Sequence, residues 1–408
     1  MVDITKLNED DLEICDRAFR NYLSDYSNKF WINQNKHIRS RRAHLEKLSK
    51  LSNAMHSLEL FLEELATRKN HEDMLITPEV CKDALLPGGY KLKIPPCQQD
   101  FLKSLPLYGD LSRSLSHDCR YSDEVEVFLP IFKNYSNFDD YPFKSFCWNP
   151  DLSFSMNKES HAKYTGLINE FIKELHQKLR EPKTRKKILD RRRAVENNSQ
   201  EFIKYVDKLF ERIAEHLVLR IDLAYQKGPI FKNVSLEDFV KDLNRFHANM
   251  RHNQLFDHMT GYIVKIEYGV EKGVHAHLLL FFDASKRKSD TDLAQKIGEY
   301  WRIQITEYRG FYWNCNTSEN KKNLEARGFL GIGEIHAEDK AKRDNLNYII
   351  RYFCKSEQFI KPKTNQKMKL LRKGLPPKQK GRKRGAPRAS QRKVRSSDHI
   401  STTPVTSS

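Results

Sequence analysis

The 408-residue chain has no run approaching the roughly 18 consecutive apolar residues that a membrane-spanning helix needs, which argues against a spanning protein. Its opening, MVDITKLNEDDLEICDRAF, is acidic and has no hydrophobic export segment, so the expected compartment is the cytoplasm. The seven cysteines (Cys15, Cys81, Cys97, Cys119, Cys147, Cys315, Cys354) are scattered and odd in number. They lack the paired CxxC spacing of a zinc ribbon and the density of a disulfide scaffold, and read as reduced and mostly structural. There is no GxxxxGK[ST] phosphate loop; GIGEIH is too short and has no such lysine, which removes a built-in helicase motor. No internal repeat is evident.

A hydrophobic content of 38% supports real cores, and the length allows two domains or one large one. The net charge of +18 is unevenly placed: residues 361–408 hold 15 Lys+Arg against one acid, Asp398, so the other 360 residues carry only +4. A tail of that composition cannot bury enough surface to fold and is attracted to polyanions, nucleic acid first among them. A solubilising tail, or a nuclear signal at KGRKRGAPR in a eukaryote, is the alternative.

Residues 36–69 repeat apolar positions at helical intervals (Leu45, Leu48, Leu51, Met55, Leu58, Phe61, Leu62, Leu65), predicting one long amphipathic helix in a mainly helical region, 1–180. Residues 85–155 carry only short patterns and receive no fold. A helix near 158–180 leads to a charged connector and helix, 181–209, taken as a boundary. Then the pattern turns regular: strand 216–225, helix 235–250, strands 261–269 and 273–283, helix 291–306, strand 328–336 and helix 339–357. That order, β-α-β-β-α-β and a last helix, predicts an α+β domain over 210–360 with a split-βαβ, ferredoxin-like antiparallel sheet.

Chemistry concentrates in GVHAHLLLFFD. His275 and His277 alternate on a strand and so share a face. Among 15 His in 408 residues chance alone supplies about half a pair at this spacing, so context has to carry the reading. Gly269 and Gly273 bracket a three-residue loop; if they pair, Glu267 falls opposite His275 and the three side chains can converge on one divalent ion. A two-residue loop would send Glu267 to the other face. Two imidazoles and a carboxylate suit Mn²⁺ or Mg²⁺ and would also accept Zn²⁺ or Ni²⁺. Glu334 and His336, alternating on a later strand, are spare ligand candidates, more readily read as polar strand-end residues. In NYIIRYFCK, Tyr348, Tyr352 and Lys355 line one helical stripe while Leu346, Ile349, Ile350 and Phe353 line another suited to packing on the sheet. A phenol is a poor nucleophile at neutral pH, and a nearby lysine or a metal-polarised phosphate would assist it. Amphipathic tyrosines at a helix edge are the plainer reading.

These motifs together, across roughly residues 210–360, resemble the HUH endonucleases, specifically rolling-circle replication initiators of the inovirus and prophage type (YagK/YfjJ-like). The resemblance rests on the β-α-β-β-α-β order, His275-Ala276-His277, and the later Tyr352 to Lys355 interval. It implies Tyr352 and Tyr348 as nucleophiles, Lys355 as their assistant, and Glu267, His275 and His277 as metal ligands. It further implies nicking and rejoining of single-stranded origin DNA through a 5′-phosphotyrosine, with unwinding and synthesis left to a bacterial host's helicase and polymerase. Ala276 is smaller than the residue usual between the histidines and Arg351 stands where lysine is frequent, which leaves one or two active tyrosines open. A non-cleaving origin-binding protein, or a related transposase or relaxase, is the alternative function.

Overall fold

The computed structural model describes residues 39–375, apart from 81–89, 115–118, 136–137, 139, 149–157, 227–233, 270–272, 356–359 and 363–368. The N-terminal part is a helical layer. Helix α1 (Arg39–Thr67) buries Leu51, Met55, Leu58, Phe61, Leu62 and Leu65, the stripe its periodicity predicts. Against it pack α2 (Pro96–Ser104), α3 (Tyr108–Ser114), α4 (Asp123–Asn134), α5 (Tyr141–Trp148) and α6 (Lys158–Leu179), around an aromatic core in which Phe101, Phe128 and Phe171 meet. Strands β1 (Thr77–Val80) and β2 (Tyr90–Lys93) pair with each other, and β3 (Cys119–Tyr121) stands apart from them.

The charged stretch after residue 180 is helical. Helix α7 (Pro182–Arg212) opens with proline at its first turn, where the missing N–H costs nothing, and runs 31 residues, about 46 Å. Its charges are not all solvated: Arg191 pairs with Asp123 at 2.8 Å and with Glu124, the acids that open α4 behind the Ser122 cap, and Arg192 donates to the Glu63 carbonyl at 3.2 Å. Ile188 belongs to the helical core, whereas Phe202, Tyr205, Val206 and Leu209 belong to a core under the sheet, so one helix enters both.

The second part is mixed α+β, built on an open antiparallel sheet. It holds β4 (Glu215–Tyr225), α8 (Leu236–Asn249), β5 (Met259–Gly269), β6 (Gly273–Asp283), α9 (Asp290–Tyr300), β7 (Gly310–Asn314), α10 (Ser318–Ala326), β8 (Gly333–His336) and α11 (Lys340–Lys355). Two short strands follow, β9 (Ile360–Pro362), which pairs with β3, and β10 (Leu371–Lys373). The sheet order is β10-β5-β6-β4-β7, and β8 also pairs with β4. On one face Leu217, Leu219, Ile221, Leu223, Leu278, Leu280 and Phe282 meet α8 and α9; on the other Val218, Ile263, Leu279 and Phe281 meet α7 and α11.

Three features differ from the sequence expectation. GFYWN forms β7, and α10 follows it, between α9 and the last expected strand. That strand is shorter than expected, Gly333–His336 in place of 328–336, because Gly331 lies where a Cβ would come 2.6 Å from the Asn345 backbone; the residues before β8 serve the close approach of α11. And residues 361–362 and 371–373, expected in the tail, lie in strands; 376–408 lie outside the described residues. No described helix is long and apolar enough to cross a membrane.

Candidate metal centre and nucleophile

The β5–β6 hairpin fixes the register on which the ligand reading depends. Gly269 pairs with Gly273, and Glu267 with His275. Gly273 takes φ +66°, a left-handed conformation that glycine adopts without a Cβ penalty. The three loop residues between lie outside the described residues. β6 is central, with every residue from Val274 to Phe282 buried, so its two histidines sit in a nearly closed environment. Ala276 faces the opposite core beside Ile266 and Leu223.

Glu267, His275 and His277 offer ligand atoms that all lie within 4.8 Å of one another. Glu267 Oε2 is 3.3 Å from His277 Nε2 and 3.6 Å from His275 Nε2. Two donors each about 2.1 Å from a common ion stand roughly 3.0–3.4 Å apart, so the set is near coordination spacing. The other ring nitrogens are committed elsewhere. His275 Nδ1 donates to the Gly273 carbonyl at 3.0 Å, and His277 Nδ1 faces Asp222 Oδ1 of β4 at 2.6 Å. Both partners only accept, which assigns the proton to Nδ1 and turns each Nε2 lone pair toward Glu267. Glu267 Oε1 is buried with no hydrogen-bond partner among the described residues, a costly state for a carboxylate that a cation would relieve. The residues therefore fit a divalent ion.

Without an ion, the same groups pair with one another as charges. Burial pushes the Glu267 carboxyl up, but the two imidazoles outweigh it and hold it well below the usual carboxylate range. Burial works against a cationic His277, yet Asp222 and Glu267 more than offset it and raise its pKa.

Helix α11 brings the tyrosine. Leu346, Ile349, Ile350 and Phe353 are buried against the sheet, as their stripe predicts. Phe353 stacks on His277 (5.5 Å between ring centroids, 27°), and the Tyr352 ring stands 6.4 Å from the same imidazole. Burial raises the Tyr352 phenol above its ordinary value; Glu267, Asp222 and Glu59 of α1 push the same way, and Arg220 opposes them. Tyr348, one turn earlier, is half-buried at the rim of the core, and Arg351 pairs with Glu196 of α7 at 3.3 Å. Lys355 is the last residue of α11; its side chain lies outside the described residues.

Residues 189–369 match the family model of the YagK/YfjJ C-terminal domain, a prophage-type family. The match takes in most of α7, every strand of the sheet except β10, and α11, and so contains every residue of the site except Glu59. No curated protein and no solved structure matches the chain.

Glu334 and His336 are not part of the site. Both are exposed, and they pair with Leu217 and Glu215 at the far end of β4; Glu334 also meets Lys288 at 3.1 Å. Sequence reasoning missed Asp222 and Arg220, which share a face of β4, the arginine buried and the aspartate partly so, with Arg220 Nε 3.5 Å from Asp222 Oδ1. The signal was available: two charges at i and i+2 in the otherwise apolar strand HLVLRIDLAY mark one face of a buried strand as polar.

Proposed function

We propose that the sheet domain is a metal-dependent endonuclease and strand transferase of the HUH type, acting on single-stranded DNA at a replication origin with Tyr352 as nucleophile. The observation that carries the reading is the convergence of Tyr352 on an imidazole, His277, whose Nε2 faces Glu267 together with that of His275. In this reading β7 and β8 share the place of the fourth strand of a split-βαβ sheet.

Glu267, His275 and His277 would hold Mn²⁺ or Mg²⁺, which would supply Lewis-acid polarisation of the scissile phosphate and cancel the Glu267 charge beside the phenol. Asp222 fixes the His277 tautomer, and Phe353 fixes its ring plane. Arg220 tempers the negative field around Tyr352. The Tyr352 Oη–phosphorus bond forms as the phosphorus–O3′ bond breaks; the phenolic proton is lost and the departing 3′ oxygen takes up a proton. One phosphodiester is exchanged for another, so the reverse reaction rejoins a strand without ATP. Host helicase and polymerase would use the freed 3′-OH, and the basic tail would add affinity for DNA phosphates.

The test is incubation of the full chain with Mn²⁺ and single-stranded origin DNA, followed by denaturing electrophoresis. The expected result is an SDS-resistant protein–DNA adduct, absent in Tyr352→Phe and in the His275→Ala, His277→Ala double variant. Retarded migration under native conditions with no adduct under any metal would favour the non-cleaving origin-binding alternative. Loss of the adduct in Tyr348→Phe but not in Tyr352→Phe would transfer the nucleophile to Tyr348.

A further inference from the structure

Strand β7 carries three consecutive aromatics, and its register sends them to different faces. Tyr312 turns to the α9 side: its hydroxyl donates to Glu299 at 2.8 Å, and its ring occupies the space where a Cβ on Gly298 would be, 2.0 Å away. Packing accounts for it. Phe311 and Trp313 turn to the other face, where Trp313 pairs with Asp222 and Phe311 with Ala224. Asp222 pairs in turn with His277, so Trp313, Asp222 and His277 form one row across three adjacent strands. With strands about 4.8 Å apart, Trp313 stands roughly 10 Å from the imidazole, the reach of a neighbouring nucleotide.

Trp313 packs in part against the core under the sheet, and both rings are half-buried on an edge strand, so each keeps some of its surface at the solvent. Large aromatic faces beside a site that would accept a phosphate have a specific use: they stack bases of a single strand. Resting on the nuclease reading above, we propose that Trp313, extended by Phe311, is the stacking platform for a base flanking the scissile phosphate. It is a positioning residue that sets which part of a single strand lies at the triad.

The test measures binding of labelled oligothymidylate by fluorescence anisotropy, with the full chain in the Tyr352→Phe background and with chelator present. Trp313→Ala should weaken binding about tenfold, the low end of what one stacked base contributes, and Trp313→Phe should restore most of it. An abasic oligomer of equal length should bind the Tyr352→Phe parent and its Trp313→Ala derivative alike, and Mn²⁺ affinity in the absence of DNA should match between them. Unchanged oligothymidylate binding in Trp313→Ala overturns the proposal, as does an equal loss for the abasic oligomer or a parallel drop in Mn²⁺ affinity, which would mark a structural role. Because this arm needs no cleavage, a wild-type protein that forms no adduct defeats the nickase reading while the stacking proposal is still decided by anisotropy.

Discussion

Two histidines lie on the same face of the sheet, about 20 Å apart along β6 and its partner β4, and the fold drives them in opposite directions. His216 pairs with Asp283 at one end, wedged 4.6 Å from Phe210 and 6.4 Å from Phe281; burial lowers its pKa to about 4. His277 lies at the other end, just as buried, between Asp222 and Glu267, and its pKa is raised. Burial alone therefore does not set the state of a residue here. The α7–α11 side of the sheet is hydrocarbon at one end, with Val218, Leu279, Phe281 and Ile263, and ionic at the other, with Arg220, Asp222, Glu267, His275 and His277. The first end holds the domain together, and the second holds charge in a place where only an ion, a phosphate or a partner charge can settle it.

Substitutions that erase the ionic end should have the largest effect. His275→Ala with His277→Ala should abolish measurable Mn²⁺ binding by calorimetry while the far-ultraviolet circular dichroism is kept; binding that survives would place the ion elsewhere. At the hydrocarbon end, Phe281→Ala should cost about 3–5 kcal/mol in urea unfolding and leave the Mn²⁺ affinity of the folded protein unchanged. A change in affinity there would mean that the two ends are coupled.

The opposite pKa shifts predict opposite pH dependences. His216 has a lowered folded pKa, so its contribution is present above the unfolded value near 6.5 and is lost as pH falls toward about 4, on the order of 3 kcal/mol in all. His216→Leu should flatten that acid loss in urea titrations; an unchanged slope would show that His216 does not titrate on unfolding. A smaller effect, tenfold to a hundredfold in Mn²⁺ affinity, is expected for Asp222→Asn, which keeps the shape but loosens the tautomer and orientation of His277. Least in size is the His277 effect without metal. Its raised folded pKa makes its contribution full below pH 6.5 and progressively lost as pH climbs through the folded value. In chelator, the advantage of wild type over His277→Gln in Tm should therefore shrink with rising pH, and growth with pH would reverse the sign of the argument.

The parts of this site that were legible in the sequence are those set by local rules. A hairpin with glycines at both ends fixed Glu267 opposite His275, because strand side chains alternate and the loop length sets the register. Helical periodicity separated the Tyr352 stripe from the sheet-facing Ile349, Ile350 and Phe353. What escaped depends on contacts between distant segments. Asp222 reaches His277 only because β4 pairs with β6 across the intervening α8 and β5. GFYWN has too few residues to show a strand period, and Leu371–Lys373 was hidden inside a basic composition although it pairs with Ile263–Lys265. The charges after residue 180 read as a connector because their partners, Asp123, Glu124 and the Glu63 carbonyl, come from α4 and α1.

The most direct measurement is the identity of the residue that carries DNA. Origin-derived single strands incubated with the full chain and Mn²⁺, trimmed by nuclease and protease and mapped by mass spectrometry, should leave a nucleotide phosphate on Tyr352, and none when chelator replaces the metal. A nucleotide found on a residue away from Glu267, His275 and His277, or on Tyr352 regardless of metal, would contradict the account.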